Sequence, residues 1–173
     1  IRDTAISHNR LFFIEVMGKG SGHIALNAGI GIGAGAEEVL IPEKNMGIDR
    51  LLKSLKHSEQ SGKSSSIIVV SEGDKIGDNV FKFSSYIEKN FPHYETRVSI
   101  LGHIQRGGSP SCFDRVLASR MGVFAVDCLL ENKSKVMVGI IGDQIITVPI
   151  DDALKGGQEI DKDLVRVCDI ISI

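Results

Sequence analysis

The sequence predicts an α/β fold with a largely parallel sheet, and two observations carry that expectation. Four short runs of strand composition, Leu11–Met17, Glu38–Pro42, Ile67–Val70 and Val98–Leu101, are separated by stretches with helical spacing. Three polar spots follow such runs: Gly18-Lys19 after the first, Glu72 after the third and His103–Arg106 after the fourth. Ligands in open parallel sheets gather beyond the carboxyl ends of the strands. Convergence of these three spots therefore predicts one binding edge.

The elements follow in order. Leu-Phe-Phe-Ile-Glu-Val-Met at 11–17 is nearly continuous and apolar, as a strand buried on both faces requires. The chain is expected to enter it almost at once from Ile1. Gly18-Lys19-Gly20-Ser21-Gly22 then leads into a candidate helix reaching about Ile32. The second strand is closed by Pro42. Ile48, Leu51, Leu52 and Leu55 fall at helical spacing, and a polar turn over 61–66 precedes the third strand. Val80, Phe83, Tyr86 and Ile87 mark one face of a helix over 79–90. The clearest helix runs from Phe113 to about Leu130, with Phe113, Val116, Leu117, Phe124 and Cys128 along one side. Two further strands, 136–141 and 145–148, flank Gly142-Asp143, and helical material follows from Asp151 and from Leu164.

Composition bounds the function. The 173 residues suffice for one good core and parts of two domains. A net charge of −2 argues against a nucleic-acid footprint, and no apolar run reaches membrane-spanning length. Cys112, Cys128 and Cys168 form no Cys-x-x-Cys pair; they read as free thiols in a reducing compartment, so a cytoplasmic location is expected. The chain opens at Ile1, not at a methionine, and is expected to be a fragment.

The stretch Arg97–Pro110 carries the most chemistry. A strand runs into His103, Arg106 and Gly107-Gly108 before Ser109-Pro110 opens a helix. Glycines admit close backbone approach, helix N–H groups point outward, and guanidinium forks onto phosphate, so an anion site is expected. Other signals are weaker. The glycine series at 18–22 and 29–35 miss Gly-x-Gly-x-x-Gly spacing, and Gly62-Lys63-Ser64 lacks the earlier glycine of a phosphate loop. Glu15, inside an apolar strand, reads as structural, and no histidines stand at metal-ligand spacing.

With these residues assembled, the chain resembles the C-terminal half of a bacterial-type 6-phosphofructokinase. The resemblance rests on Arg10 with Ile14–Lys19, on Ala36–Glu43, on Ser71-Glu72-Gly73, and on Leu101–Pro110 with Phe113-Asp114-Arg115. It implies a three-layer phosphofructokinase-like sandwich and transfer of the γ-phosphoryl of ATP to the 1-hydroxyl of fructose 6-phosphate in glycolysis. By the same resemblance Met17, Gly18 and Lys19 lie against the sugar phosphate and the transferring group, with Lys19 the catalytic candidate. Glu72 hydrogen-bonds sugar hydroxyls, and His103, Ile104, Gln105 and Arg106 hold the sugar phosphate. Arg10 and Arg97 match arginines that reach the 6-phosphate of a neighbouring subunit, which implies a homotetramer. Arg2, Glu37 and Lys63 fall on positions of a nucleotide effector site between subunits.

Two departures stand out. Lys19 occupies the place of the family's arginine and loses the bidentate fork. The family's Gly-Gly-Asp-Gly-Ser loop and its Thr-Ile-Asp-Asn-Asp segment, which carries the catalytic aspartate, are absent from these residues. ATP and Mg²⁺ are accordingly expected to be held mainly by residues upstream of Ile1, no metal ligand is assigned here, and the fragment alone is expected to be inactive. The resemblance further implies that 1–104 with 156–173 form the sugar-phosphate domain, and that 105–155 return to an incomplete nucleotide-binding domain. Three rivals are a pyrophosphate-dependent phosphofructokinase, a non-catalytic regulatory subunit that binds sugar phosphate, and a nucleotide-binding regulatory domain.

Overall fold

The computed structural model describes residues 1–8, 10–31, 36–44, 48–62, 66–74, 79–155 and 159–171. The chain divides into two compact units, Ile1–Arg106 with Ile160–Ile173, and Gly107–Glu159. The first holds helices α1 (Arg2–His8), α2 (His23–Gly31), α3 (Ile48–Gln60) and α4 (Val80–Asn90), and strands β1 (Arg10–Val16), β2 (Glu38–Leu40), β3 (Ser66–Ser71) and β4 (Glu95–Ile100). A 3₁₀ turn, Gly102–Gln105, follows β4.

The four strands make one sheet in the order β2-β3-β1-β4, every pairing parallel. Because strand side chains alternate faces, its apolar residues divide into two cores. Leu11, Phe13, Leu40, Ile68 and Val70 pack with Leu51 and Leu55 of α3 and Val80, Phe83 and Ile87 of α4. Phe12, Ile14, Val16, Val39, Ile67 and Val69 pack on the other face with Ala5 of α1, Ala25 and Leu26 of α2, and Cys168 of the C-terminal helix α7 (Lys162–Ile171). The expected α/β architecture, a parallel sheet between two helical layers, is borne out.

Details differ from expectation. A helix, α1, precedes β1 where direct entry into the strand was expected; its single buried apolar residue, Ala5, leaves a faint sequence signal. β4 begins at Glu95, three residues before Val98, because an edge strand need not be apolar along its exposed half. Tyr86 lies outside the buried face of α4, 46% exposed, its place taken by Ser84, although its ring stacks on Phe83 at 6.2 Å.

The second unit contains α5 (Cys112–Leu130), β5 (Val136–Ile141), β6 (Gln144–Pro149) and α6 (Ile150–Lys155). The two strands expected around Gly142-Asp143 form a sheet of their own. They pair antiparallel with each other, Ile141 opposite Gln144, across the tight Gly142-Asp143 connection. A connection this short permits only an antiparallel return. α5 begins in a capping box, Ser111 and Asp114 each accepting from the other's backbone N–H. Of the side expected to be buried, only Cys128 is; Leu117 and Phe124 are partly covered, while Phe113 and Val116 face outward.

Candidate functional site

Residues of the candidate site fall at two ends of the first unit's sheet. At the carboxyl end, β1 is flanked by β3 and β4, with Val16 in register with Ser71 and Glu15 with Ile100. Backbone bonds carry this register one step past the strands: Glu72 N–H donates to Val16 C=O at 2.8 Å, and Leu101 N–H to Glu15 C=O at 3.1 Å. The loops bearing Lys19, Glu72 and His103 thus leave the same edge. After β1 the chain turns to α2 on one face, and after β3 it continues to α4 on the other. Diverging connections from adjacent parallel strands open a crevice, the usual ligand position in such sheets.

At that edge Met17 and Gly18 are partly buried and Lys19 is exposed. The Glu72 carboxylate accepts with Oε2 from the N–H of Gly18 at 3.3 Å and of Lys19 at 3.4 Å. Gly73, at φ 88°, packs against Gly20 so closely that an added Cβ would stand 2.9 Å from its nitrogen. His103, Ile104, Gln105 and Arg106 are exposed on the 3₁₀ turn and its end; Arg106 N–H donates to His103 C=O at 3.0 Å, and the Gln105 amide to Gly102 C=O at 3.3 Å. Ile104 is 80% exposed.

Arg10 and Arg97 lie toward the opposite end. Arg10 begins β1 in register with Glu95, which begins β4, and Phe12 is in register with Arg97. Glu95 joins the two cations: Arg10 donates to it from Nε at 3.0 Å and from a terminal nitrogen at 3.3 Å, and Arg97 also bonds its carboxylate. The Arg10 hydrogen bond holds the Glu95 carboxyl below its ordinary pKa. Since β1 spans seven residues at roughly 3.3 Å each, these arginines and Lys19 belong to different ends of the sheet.

Of the residues of the implied effector site, Glu37 is buried, 7% exposed, and its Oε2 accepts the Ile67 N–H at 3.0 Å, so the carboxylate closes the β2–β3 edge from inside. Arg2 opens α1, and Lys63 lies outside the described residues. Glu15 is partly buried within β1. Among the described residues no group of three or more His, Cys, Asp or Glu side chains is placed to hold a metal ion.

Compared with known sequences, the chain matches the family model Phosphofructokinase over residues 1–129. The chain belongs to the phosphofructokinase family. Among curated relatives of this family it is 44% identical over all 173 residues to the ATP-dependent 6-phosphofructokinase 2 of Bacteroides thetaiotaomicron, and 46% identical to the ATP-dependent 6-phosphofructokinase of Bacillus pumilus. It spans about half of each, 52% of their length. Among solved structures, phosphofructokinase from Saccharomyces cerevisiae matches 98% of the chain with a TM-score of 0.77 at 28% identity, covering 22% of that chain. The Pichia pastoris phosphofructokinase in the T-state matches 99% with a TM-score of 0.77 at 33% identity, covering 20% of its length.

Two residues, one at each end of the sheet, escaped sequence reasoning. Glu95, which gathers Arg10 and Arg97, carries no motif; only its place beside Arg10 across the sheet gives it meaning. Glu43, whose carboxylate accepts Gly22 N–H with both oxygens at 2.9 and 3.1 Å, is 21 positions away from that glycine in the chain.

Proposed function

We propose that the chain is the C-terminal part of an ATP-dependent 6-phosphofructokinase, contributing the site that holds fructose 6-phosphate while the γ-phosphoryl of ATP passes to its 1-hydroxyl. The observation that carries this reading is the shared departure of the Lys19, Glu72 and His103 loops from one sheet edge, in a member of this family. The curated relatives, named as ATP-dependent, favour ATP over pyrophosphate as donor.

Each residue then has a chemical task. The Lys19 ammonium neutralises charge on the transferring phosphoryl group as a point charge, where an arginine would grip it with two parallel bonds. Met17 and Gly18 bring backbone against the sugar phosphate. Glu72, held by Oε2 on the Gly18 and Lys19 amides, presents its carboxylate to orient a sugar hydroxyl. His103 and Arg106, with Ile104 and Gln105 between them, hold the phosphorylated sugar from the β4 side. Positioning and charge neutralisation of this kind account for most of the acceleration in phosphoryl transfer. Arg10 and Arg97, remote from Lys19 on the same sheet, would serve the 6-phosphate of a neighbouring subunit, making a homotetramer part of the active site.

Residues 105–155 are read as the return of the chain to the nucleotide-binding domain, with 1–104 and 156–173 as the sugar-phosphate domain. In support, α5 carries apolar residues on every side between a few charged ones, and Phe113, Leu129 and Leu130 are each more than 70% exposed, apolar surface that a covering partner element would bury. Mg²⁺ would neutralise the phosphates of ATP, both being held by residues outside this chain. Three free cysteines suit a reducing, cytoplasmic setting. No helix among the described residues is long and apolar enough to cross a membrane.

The test is a coupled assay on the full-length protein with ATP or pyrophosphate as donor. Turnover of fructose 6-phosphate with ATP is expected, and Lys19→Ala should lower kcat by about 10²-fold or more, the scale of loss when one preorganised electrostatic contact to a transition state is removed. Turnover only with pyrophosphate overturns the donor; no turnover with either, despite tight fructose 6-phosphate binding, favours a regulatory subunit.

A further inference from the structure

Lys19 sits in a conformation that its own chemistry does not favour. Gly18–Ser21 form a β-turn closed by Ser21 N–H donating to Gly18 C=O at 3.1 Å. Its central residues, Lys19 and Gly20, have φ of 47° and 81°. That sign pattern belongs to the primed turns, which glycine, asparagine and aspartate adopt readily and lysine does not. A residue in left-handed backbone persists only where its surroundings over-determine it, and such residues cluster at functional sites.

The end of β3 supplies those surroundings. Ser71 is fully buried and donates from Oγ to Ser21 C=O at 2.8 Å; a longer contact, 3.3 Å, runs to Glu72 C=O. A hydroxyl has one proton, so the shorter bond holds it. Glu72 C=O in turn accepts Gly20 N–H at 3.2 Å. A Cβ at residue 18 would lie 2.5 Å from Ser71 Oγ and 2.3 Å from Ser21 O, so the serine reaches the turn only because residue 18 is glycine. Glu72 faces solvent and is assigned to the ligand, whereas Ser71 is wholly enclosed and can act only on the turn.

We infer that Ser71 is a positioning residue: its buried hydroxyl, bonded to Ser21 C=O, holds the Gly18–Ser21 turn in the geometry that presents Lys19 to the transferring phosphoryl group. The inference rests on the role proposed above for Lys19. It makes a buried serine that touches no ligand part of what sets turnover.

The test is a double-mutant cycle in the full-length protein with Ser71→Ala, Lys19→Ala and the pair, read as kcat and KM for fructose 6-phosphate, with circular dichroism to verify folding. Ser71→Ala is expected to lower kcat about tenfold and to change KM less than about twofold, since a small misplacement of a catalytic charge acts on the chemical step. In the Lys19→Ala background the same change should cost less than about twofold, because the hydroxyl works through Lys19. Ser71→Thr, which keeps the hydroxyl, should restore most of the lost kcat. Where the alanine variant does not fold, Ser71→Cys, similar in volume but a weak donor, replaces it with the same expectations. Equal losses in both backgrounds, or no loss in a folded variant, overturn the positioning role and leave the functional reading standing. An unchanged kcat in Lys19→Ala alone overturns the reading of Lys19 and the inference with it.

Discussion

Arg10 and Glu95, the first residues of two adjacent parallel strands, stand directly opposite each other and form a two-pronged ion pair at 3.0 and 3.3 Å. The same carboxylate takes Arg97, so one acid holds both arginines proposed to meet a partner's phosphate. Any phosphate bound there competes with it.

Glu95→Gln should therefore lower KM for fructose 6-phosphate by roughly two- to fivefold in the full-length protein, by removing the competing anion. Because Arg10 lowers the Glu95 pKa, the pair's contribution to stability is present above the carboxyl's unfolded value and lost as pH falls through its folded one. The exposed pair adds little to folding, so the melting temperature at pH 7 should hardly move. A raised KM would show that Glu95 orients the arginines for phosphate instead.

Lys19→Gly separates strain from function. Left-handed backbone costs a side-chain-bearing residue about 1–2 kcal/mol, so glycine at φ 47° should stabilise the chain by about 1 kcal/mol after its own unfolded-state entropy is subtracted, while turnover falls. Urea denaturation of the variant against the unsubstituted chain measures this; a loss of stability would mean that the Lys19 side chain makes a compensating contact.

Glu38 gives a pH dependence of the opposite sign. It is 5% exposed, and burial raises its pKa above 4.5 despite the Arg50 guanidinium at 3.6 Å and nearby Lys44. A raised carboxyl pKa means the native state binds the proton more tightly than the unfolded chain. Stability from this group is thus greatest below its unfolded value and declines as pH rises through the folded one. Glu38→Gln is expected to raise the melting temperature at pH 7 and to flatten its rise on acidification toward pH 5. A lower melting temperature at pH 7 would show that the Arg50 pairing outweighs desolvation.

Phe13 anchors the core beneath α4. It is fully buried, and its ring meets Phe83 edge-on at 5.7 Å. Phe13→Ala should cost about 3–5 kcal/mol, from lost transfer energy plus the cavity left behind. Chemical denaturation checks it, and a loss below about 2 kcal/mol would mean that α4 collapses into the space.

Much of this molecule is legible along the chain. The apolar run at 11–16, interrupted only by Glu15, reads as a strand covered on both faces, and helical spacing at Leu51 and Leu55 or at Val80, Phe83 and Ile87 marks the helices that cover one of them. The loops of Lys19, Glu72 and His103 could be assigned to one edge because parallel strands put every carboxyl end on the same side. Other features depend on which strands become neighbours. Glu95 meets Arg10 across 85 positions, and Ser71 meets Ser21 across 50, through side-chain bonds that no local pattern encodes. The left-handed turn at Lys19 likewise arises from hydrogen-bond partners chosen in three dimensions. Periodicity reports which face of an element avoids water; it carries no information about what will stand opposite.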